Sequence, residues 1–496
     1  MKKIVIIGGG TAGLTAGIFA QKNGFESVIL EKHHTLGGEC TGWDRQGYHI
    51  DGCIHWLVGT KEGTPINDLW KTVGALDGVE CYHPETFLSF EHQGVTVHLY
   101  RDLAKLKAHW VELSPQDEGT IREFCRDIEK LHSFEFPVGK PMDMMNPMEK
   151  IKQMLSMKDA GMIMQKYGKI SCKELAKKFS HPALREMLAS FVPEGYSAGF
   201  VFFALANFTK GQASIPAGGS RAMAMRMADR YLSLGGIVEA SCEAVELDIT
   251  GNNVQRITCA NGKTFEADFF IAACDARVLF EKLLIGKYPD PAFEERYNNP
   301  KEHPLASNIY IALGYEGIMG DIPRTFRFPV APFKIHETDI DLITMTHYGY
   351  EPEFAPEGHT VITCAINQFH EDIDAWFALA RDREAYRREK KRIGQEVLRC
   401  IQERFPHMEG KLKVLDVATP KTYERYCNAY RGAFMPFLPT VRGKMMEHNG
   451  SIKGLKNIFL SGQWLQTGGG LPVALITGKN TIMRLCKQEK RPFIGQ

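Results

Sequence analysis

Lys3-Ile4-Val5-Ile6-Ile7 runs directly into Gly8-Gly9-Gly10-Thr11-Ala12-Gly13, and Glu31 closes the next apolar run, Ser27-Val28-Ile29-Leu30. The unbroken run Ile4 to Ile7 reads as a strand buried on both faces, as in a parallel sheet. Leu14, Gly17, Ile18 and Ala20 recur at helical spacing from Thr11 to Asn23, and Gly24 ends that helix. A glycine-rich turn between strand and helix, followed at this distance by an acidic residue, is the fingerprint of a dinucleotide site.

Each glycine has a physical task. Gly8 permits the tight turn, Gly10 removes a side chain that would block a pyrophosphate, and Gly13 lets helix and strand pack closely. The helix start at Thr11 and Ala12 presents free N–H groups and roughly half a positive charge to the phosphates. Glu31, with Lys32 beside it, is placed to accept hydrogen bonds from ribose hydroxyls, and its charge repels a 2′-phosphate. The bland alternative is a glycine-rich turn that binds nothing.

The chain has 496 residues, which points to roughly two or three domains. Lys and Arg number 60 against 59 Asp and Glu, a net charge of +1, and that balance argues against nucleic acid as a partner. The 12 cysteines lie singly between Cys40 and Cys486, without a C-x-x-C pair or a Cys/His cluster at metal spacing. They read as reduced thiols of a cytoplasmic protein, and no metal site is expected. The first strand begins at once, leaving no room for a signal peptide, and no apolar run approaches the ~20 residues of a spanning helix.

Strand signals at Phe87–Phe90 and Val95–Tyr100 suggest a hairpin, and 103–206 is mostly helical in pattern, with Ser114-Pro115-Gln116-Asp117 as a helix start capped by Ser114. After Gly218-Gly219-Ser220 a helix is expected from Arg221 to Leu234. Short strands follow at Ile237–Ala240, Ala244–Thr250, Val254–Cys259 and Thr264–Phe265, then a buried strand through Asp268–Ala273. Further strands are expected at Ser307–Leu313, Ile340–Thr346 and Thr360–Ile366, a charged helix over 372–404, and one more parallel strand at Asn457–Gly462. These pieces interleave: 1–75, 215–290 and 445–496 as the nucleotide domain, 76–214 and 291–444 as a substrate domain.

Three separated blocks resemble the FAD-dependent phytoene desaturase and retinol saturase family, relatives of the amine oxidases. They are the fingerprint with Leu36-Gly37-Gly38 and Asp51-Gly52; Pro216 to Ser220 with Glu243-Ala244-Val245; and Leu460 to Trp464 with Gly468 to Pro472 and Thr477-Gly478. The resemblance implies an α/β fold, a Rossmann-like FAD-binding domain (GR2-type) interleaved with a mixed-sheet and helical substrate domain. It implies FAD contacts at Gly37 and Gly38, an adenine-reading backbone at Val245, and a flavin-facing turn at Gly462, Gly469, Gly470, Leu471 and Pro472. The family commonly has Arg after the glycine pair, where this chain has Glu39. Either Glu39 faces the cofactor, or it turns outward and Arg45 supplies the positive charge. Only one dinucleotide fingerprint is visible, so an external electron acceptor or donor is expected.

The resemblance implies an FAD-dependent oxidoreductase that desaturates or saturates a carbon–carbon bond of a small apolar substrate, an isoprenoid, carotenoid, retinoid or other lipid. The alternatives are an amine oxidase-like flavoprotein, a redox-neutral isomerase and a non-enzymatic flavin-binding module. Candidate catalytic residues are His55 as a proton carrier, and Trp464 and Tyr426 as rings against substrate; each has a bland reading as packing. Tyr423, Arg425, Tyr430 and Arg431 form an aromatic and cationic cluster beside Tyr426, with His347, Tyr348 and Tyr350 as weaker companions. The segment 142–164 carries Met142, Met144, Met145, Met148, Met154, Met157, Met162 and Met164 with interleaved lysines. It reads either as a lid or peripheral membrane contact, or as helical core with methionine filler.

Overall fold

The structure is a computed structural model and describes residues 1–495. Five parallel strands form one sheet in the spatial order Ile237–Glu239, Glu26–Leu30, Lys3–Ile7, Phe269–Ala272 and Ile458–Leu460. Ile4 and Ile6 enter one core cluster while Val5 and Ile7 enter another, so the central strand is buried on both faces. That two-sided burial is why its sequence is apolar without alternation. The helix Thr11–Lys22 packs on one face, and the last helix, Leu471–Gln488, closes onto it through Gly478. A Cβ at Gly478 would lie 2.6 Å from the Ala12 carbonyl oxygen, so only glycine allows that approach.

A second sheet has seven strands in the order Leu412–Ala418, Ser307–Tyr315, Thr360–Gln368, Thr338–His347, Thr325–Ile335, Thr86–His92 and Val95–Tyr100. Its pairings are antiparallel except where Thr325–Ile335 meets Thr86–His92. One face packs on the helix Arg383–Arg404 through Ile393, Val397 and Ile401. Helices between Leu103 and Thr209 make a separate core around Trp110, Phe124, Phe179 and Phe202. No helix of the described residues is long and apolar enough to cross a membrane.

Several local expectations change. Ile237–Glu239 joins the parallel sheet, whereas Ala244–Thr250, Asn253–Cys259 and Thr264–Glu266 form a small antiparallel sheet of their own. The charged helix is two, His370–Leu379 and Arg383–Arg404, because Asp382 accepts from the Glu384 and Ala385 amides and starts a new helix. Ser114 does not cap a helix: its hydroxyl donates to Asp117 at 2.7 Å, and the helix begins at Glu118. Asp117 is held there by the Ser180 and His181 amides, which tie two helices together. The strand Thr325–Ile335 was hidden by Pro329 and Pro332, which the fold accommodates in a bulge between Pro329 and Phe333.

Candidate functional site

A single cavity of about 1690 Å³ joins the glycine-rich turn to the second sheet and the helical region. One drug-sized ligand occupies roughly 300–1,000 Å³, so this volume suits a dinucleotide together with a second molecule. At one end lie Gly8, Gly10, Thr11, Ala12, Glu31, Lys32, Gly37 and Gly38. A Cβ on Gly13 would stand 1.9 Å from the Gly8 carbonyl oxygen, so turn and helix pack there as only glycine permits. Gly10 caps the first helix without a side-chain hydrogen bond, leaving the amide groups of that first turn open to a ligand. Gly37 N–H donates to the Gly9 carbonyl at 2.9 Å, and Gly38 leans on Gly10 closely enough that its Cβ would lie 3.3 Å from the Gly10 Cα. The two glycine turns therefore make one cradle built of backbone.

Glu31 accepts from the Gly9 amide at 2.7 Å and the His33 amide at 2.8 Å, which fixes its carboxylate at the cavity wall. Burial still raises its pKa above the ordinary value. Lys32 Nζ reaches Asn428 Oδ1 at 2.6 Å, and the Asn428 amide in turn donates to Glu243 at 2.9 Å. Val245 is the bulged residue between Ala244 and Glu246; its side chain is exposed, and the adjoining Glu243 and Ala244 line the cavity. The third block closes the opposite side. Thr477 Oγ1 accepts from the Gly462 amide at 3.0 Å, and Gln463 Oε1 accepts from the Gly470 amide at 3.0 Å. Gly469, Gly470, Leu471 and Pro472 line the cavity beside them.

Asp51 explains why the first and middle blocks go together. Its buried carboxyl receives the Ser220 amide at 2.9 Å, the Ser220 hydroxyl and the Cys53 amide at 3.2 Å. Tyr310 Oη adds a bond to the Asp51 carbonyl at 2.7 Å, tying the second sheet to the same point.

Glu39 faces inward. Gln463 Nε2 donates to its Oε2 at 3.0 Å, and the side chain lines the cavity. Burial, then the neighbouring Asp275 charge, pushes the Glu39 carboxyl up to about 8. Asp275 accepts from the Tyr430 and Arg277 amides at 2.7 Å each, yet burial holds it up at about 7. Arg45 offers no compensation: it pairs with Asp416 at 3.0 Å on the second sheet. The outward-turning alternative for Glu39 is thus corrected.

Of the three candidate catalytic side chains, His55 lines the cavity, where burial and then the Arg324 charge hold its pKa down to about 4. It is a neutral imidazole at physiological pH, able to donate from one nitrogen and accept at the other. Trp464 is core: it is 4% exposed and packs edge-on against Phe437 at 5.6 Å and tilted against Tyr297 at 6.2 Å, reaching the cavity only at its margin. Tyr426 sits at the nucleoside end, against the His33 ring at 5.5 Å, with the Arg425 guanidinium over its own ring at 4.4 Å. The helix Pro420–Cys427 brings it there, because Asn428 at its end is tethered to Lys32. Both rings line the cavity, Trp464 from the core side and Tyr426 from the nucleoside end. Tyr423 lines the cavity and donates to Asn308 at 2.7 Å, while Arg431 is drawn away to Asp374 and the His370 carbonyl.

The remaining walls were not foreseen from sequence. Arg324, Thr325, Arg327, Thr344 and Thr346 form a polar patch on the second sheet, facing Phe87, Phe191, Phe200 and Phe203. A usable signal was the alternation Thr325-Phe326-Arg327-Phe328, whose apolar members point into the sheet core and whose polar members point into the cavity.

The flavin containing amine oxidoreductase model matches residues 11–484, nearly the whole chain. The chain belongs to this family. It is an FAD-dependent oxidoreductase, and the open helix start and glycine cradle fit the cofactor's pyrophosphate. Among similar proteins are a lycopene-forming phytoene desaturase of Pseudescherichia vulneris, 23% identical over 97% of this chain and 98% of the relative. The all-trans-retinol 13,14-reductase of Macaca fascicularis is 21% identical over 94% of this chain and 82% of the relative. Among solved structures, an oxidoreductase from Methanosarcina mazei superposes with a TM-score of 0.60 at 15% identity, covering 97% of this chain and 100% of the other. Putrescine oxidase bound to putrescine gives 0.59 at 14% identity, covering 98% and 99%. Both structures show the shared amine oxidase-type fold.

Proposed function

We propose that this flavoprotein adds or removes hydrogen at a carbon–carbon bond of an extended apolar substrate of the isoprenoid, carotenoid, retinoid or lipid type. The observation that carries the reading is the continuity of one cavity from the glycine cradle to a wall of Phe87, Phe134, Phe136, Phe191, Phe200 and Phe203. Bound FAD supplies the two-electron exchange. The chain's own contribution is to exclude water with these rings and to hold the neutral His55 where it can move one proton. The desaturase and retinol reductase relatives support the same reading. Amine oxidation is the weaker reading, because Trp464 is engaged in core packing and Arg324 and Arg327 give the substrate half a positive field that repels an ammonium group.

The substrate route supports contact with a membrane surface. The helix Pro147–Ser156 has no buried residue, and Met148, Ile151, Met154 and Leu155 are all exposed. Ile151, Met154 and Leu155 also line the cavity, with Lys150 and Lys158 beside them. This exposure supports the contact reading over methionine filler for that helix, and it fits an element lying on an anionic bilayer.

Anaerobic spectroscopy tests the activity: a suitable polyene or lipid should bleach the oxidised flavin, or reoxidise it once photoreduced. If no isoprenoid or lipid does either, and an amine reduces the flavin, the reading is wrong. For the membrane contact, the holoenzyme should co-sediment with anionic vesicles and lose that binding in M148S/M154S/L155S; unchanged sedimentation refutes it.

A further inference from the structure

The substrate half of the cavity contains two cations that nothing in the protein neutralises. Arg324 is 8% exposed, donates from Nη2 to the His55 carbonyl at 3.2 Å and from Nη1 to Thr325 Oγ1 at 3.4 Å, and its buried Nε has no partner. Arg327 donates from Nε to Thr344 Oγ1 at 2.7 Å and from Nη1 to the Ser190 carbonyl. Every one of these acceptors is neutral, and among the described residues no carboxylate pairs with either guanidinium. Arg404 and Arg277 pair with Glu91 and Glu281, whereas Arg101, Arg226 and Arg296 rest on backbone carbonyls alone; what sets Arg324 and Arg327 apart is that both line the cavity.

Burial lowers Arg327 to about 10, so it remains cationic at neutral pH. His55 and His347, which both feel the Arg324 charge, are held neutral with a pKa of about 4 each, and the Tyr350 ring, 5.4 Å from the guanidinium, is kept un-ionised by burial. The acids that line the cavity, Glu31, Glu39, Glu243 and Asp275, belong to its cofactor half. Two unpaired guanidinium groups among Phe87, Phe191, Phe200 and Phe203 are costly unless an incoming group carries the opposite charge. Arginine's planar fork matches a carboxylate in shape as well as charge, and the hydroxyls of Thr325, Thr344 and Thr346 supply further donors.

We propose that the substrate is a single-chain lipid with a terminal carboxylate, its head held on the Arg324–Arg327 stretch and its apolar chain laid along the aromatic wall towards the flavin. This rests on the apolar-substrate reading above and narrows it from neutral polyenes to amphipathic acids.

The test uses the FAD-loaded protein and a fluorescent conjugated C18 fatty acid, displaced in turn by oleic acid, oleyl alcohol and methyl oleate. The acid should bind more tightly than the alcohol or the ester by on the order of ten- to a hundredfold, the range of charge-assisted hydrogen bonds. R324Q and R327Q should each shrink that ratio, weakening the acid far more than the alcohol. R327K, which keeps the cation, should restore most of it. The ester comparison needs no variant, so it decides even if R327Q fails to fold for want of its Ser190 contact. Equal binding of acid, alcohol and ester by the native protein overturns this inference and leaves the apolar-substrate reading intact. A preference that survives in R324Q/R327Q also overturns it. If none of the three lipids binds, the carboxylate proposal falls, while the apolar-substrate reading is decided by the flavin assay above.

Discussion

Glu39→Gln should stabilise the cofactor-free protein, and increasingly so as the pH rises. The Glu39 carboxyl is moved from an ordinary 4.5 to about 8 by burial and by Asp275. Because the folded value lies above the unfolded one, stability is full below pH 4.5 and falls as the pH climbs towards 8. The slope is about 1.4 kcal/mol per pH unit for one proton, and the whole interval corresponds to about 5 kcal/mol. Water entering an empty cavity screens part of this, so roughly 2–3 kcal/mol is the expected difference between wild type and variant at pH 8. Glutamine preserves the acceptor that Gln463 uses, so the comparison isolates the charge. Urea unfolding of the apoproteins at pH 5, 6.5 and 8, with m-values checked for agreement, measures it. The curves should nearly coincide at pH 5 and diverge above it, with residual wild-type and variant slope from Asp275 in common. Parallel curves across that range, or a Gln variant that is the less stable at pH 8, would refute the burial of an uncompensated acid beside the cofactor cradle.

Gly13→Ala should empty the protein of flavin, since its Cβ would sit 1.9 Å from the Gly8 carbonyl oxygen and must part helix from strand at a cost of at least about 3 kcal/mol; a flavin-to-protein absorbance ratio near that of wild type refutes it. Asp51→Asn removes a carboxylate that receives the Ser220 amide, the Ser220 hydroxyl and the Cys53 amide. It should cost about 1–3 kcal/mol and weaken FAD binding in step; a changed melting temperature with unchanged FAD affinity would separate the two roles and refute their coupling. His55 is held at about 4, so the pH–rate profile should show no inflection from it between pH 5 and 8; an NMR titration placing its ring near 6.5 refutes the assignment.

How far the sequence carried the reading depends on whether geometry is written in backbone or in side chains. Ile4 to Ile7, the glycines from Gly8 to Gly13 and the run Gly468 to Gly470 impose local backbone shapes, and local shapes are legible from neighbouring residues. The cofactor half is made largely of such backbone, which is why residues lining it could be named from the sequence. Trp464 and Tyr426 could be named from the sequence but not placed, for the opposite reason. Their surroundings come from Tyr297 and Phe437 in one case and His33 in the other, and no spacing within the chain encodes those meetings. The same holds for Glu39, whose neighbours Asp275 and Gln463 arrive from two other chain segments. Taken singly, Arg324 and Arg327 are ordinary surface-type residues, and only Glu39, by its place after the glycine pair, could be named near the cofactor from the sequence. In the fold all three are held only by neutral groups, with no countercharge. A protein retains such an unfavourable charge where something else compensates it. At Glu39 a proton does so, whereas at the two arginines a proton cannot, because a guanidinium is already fully protonated. Under the carboxylate proposal that compensation comes from the ligand's head group, and the fold says more about its charge than about its carbon skeleton.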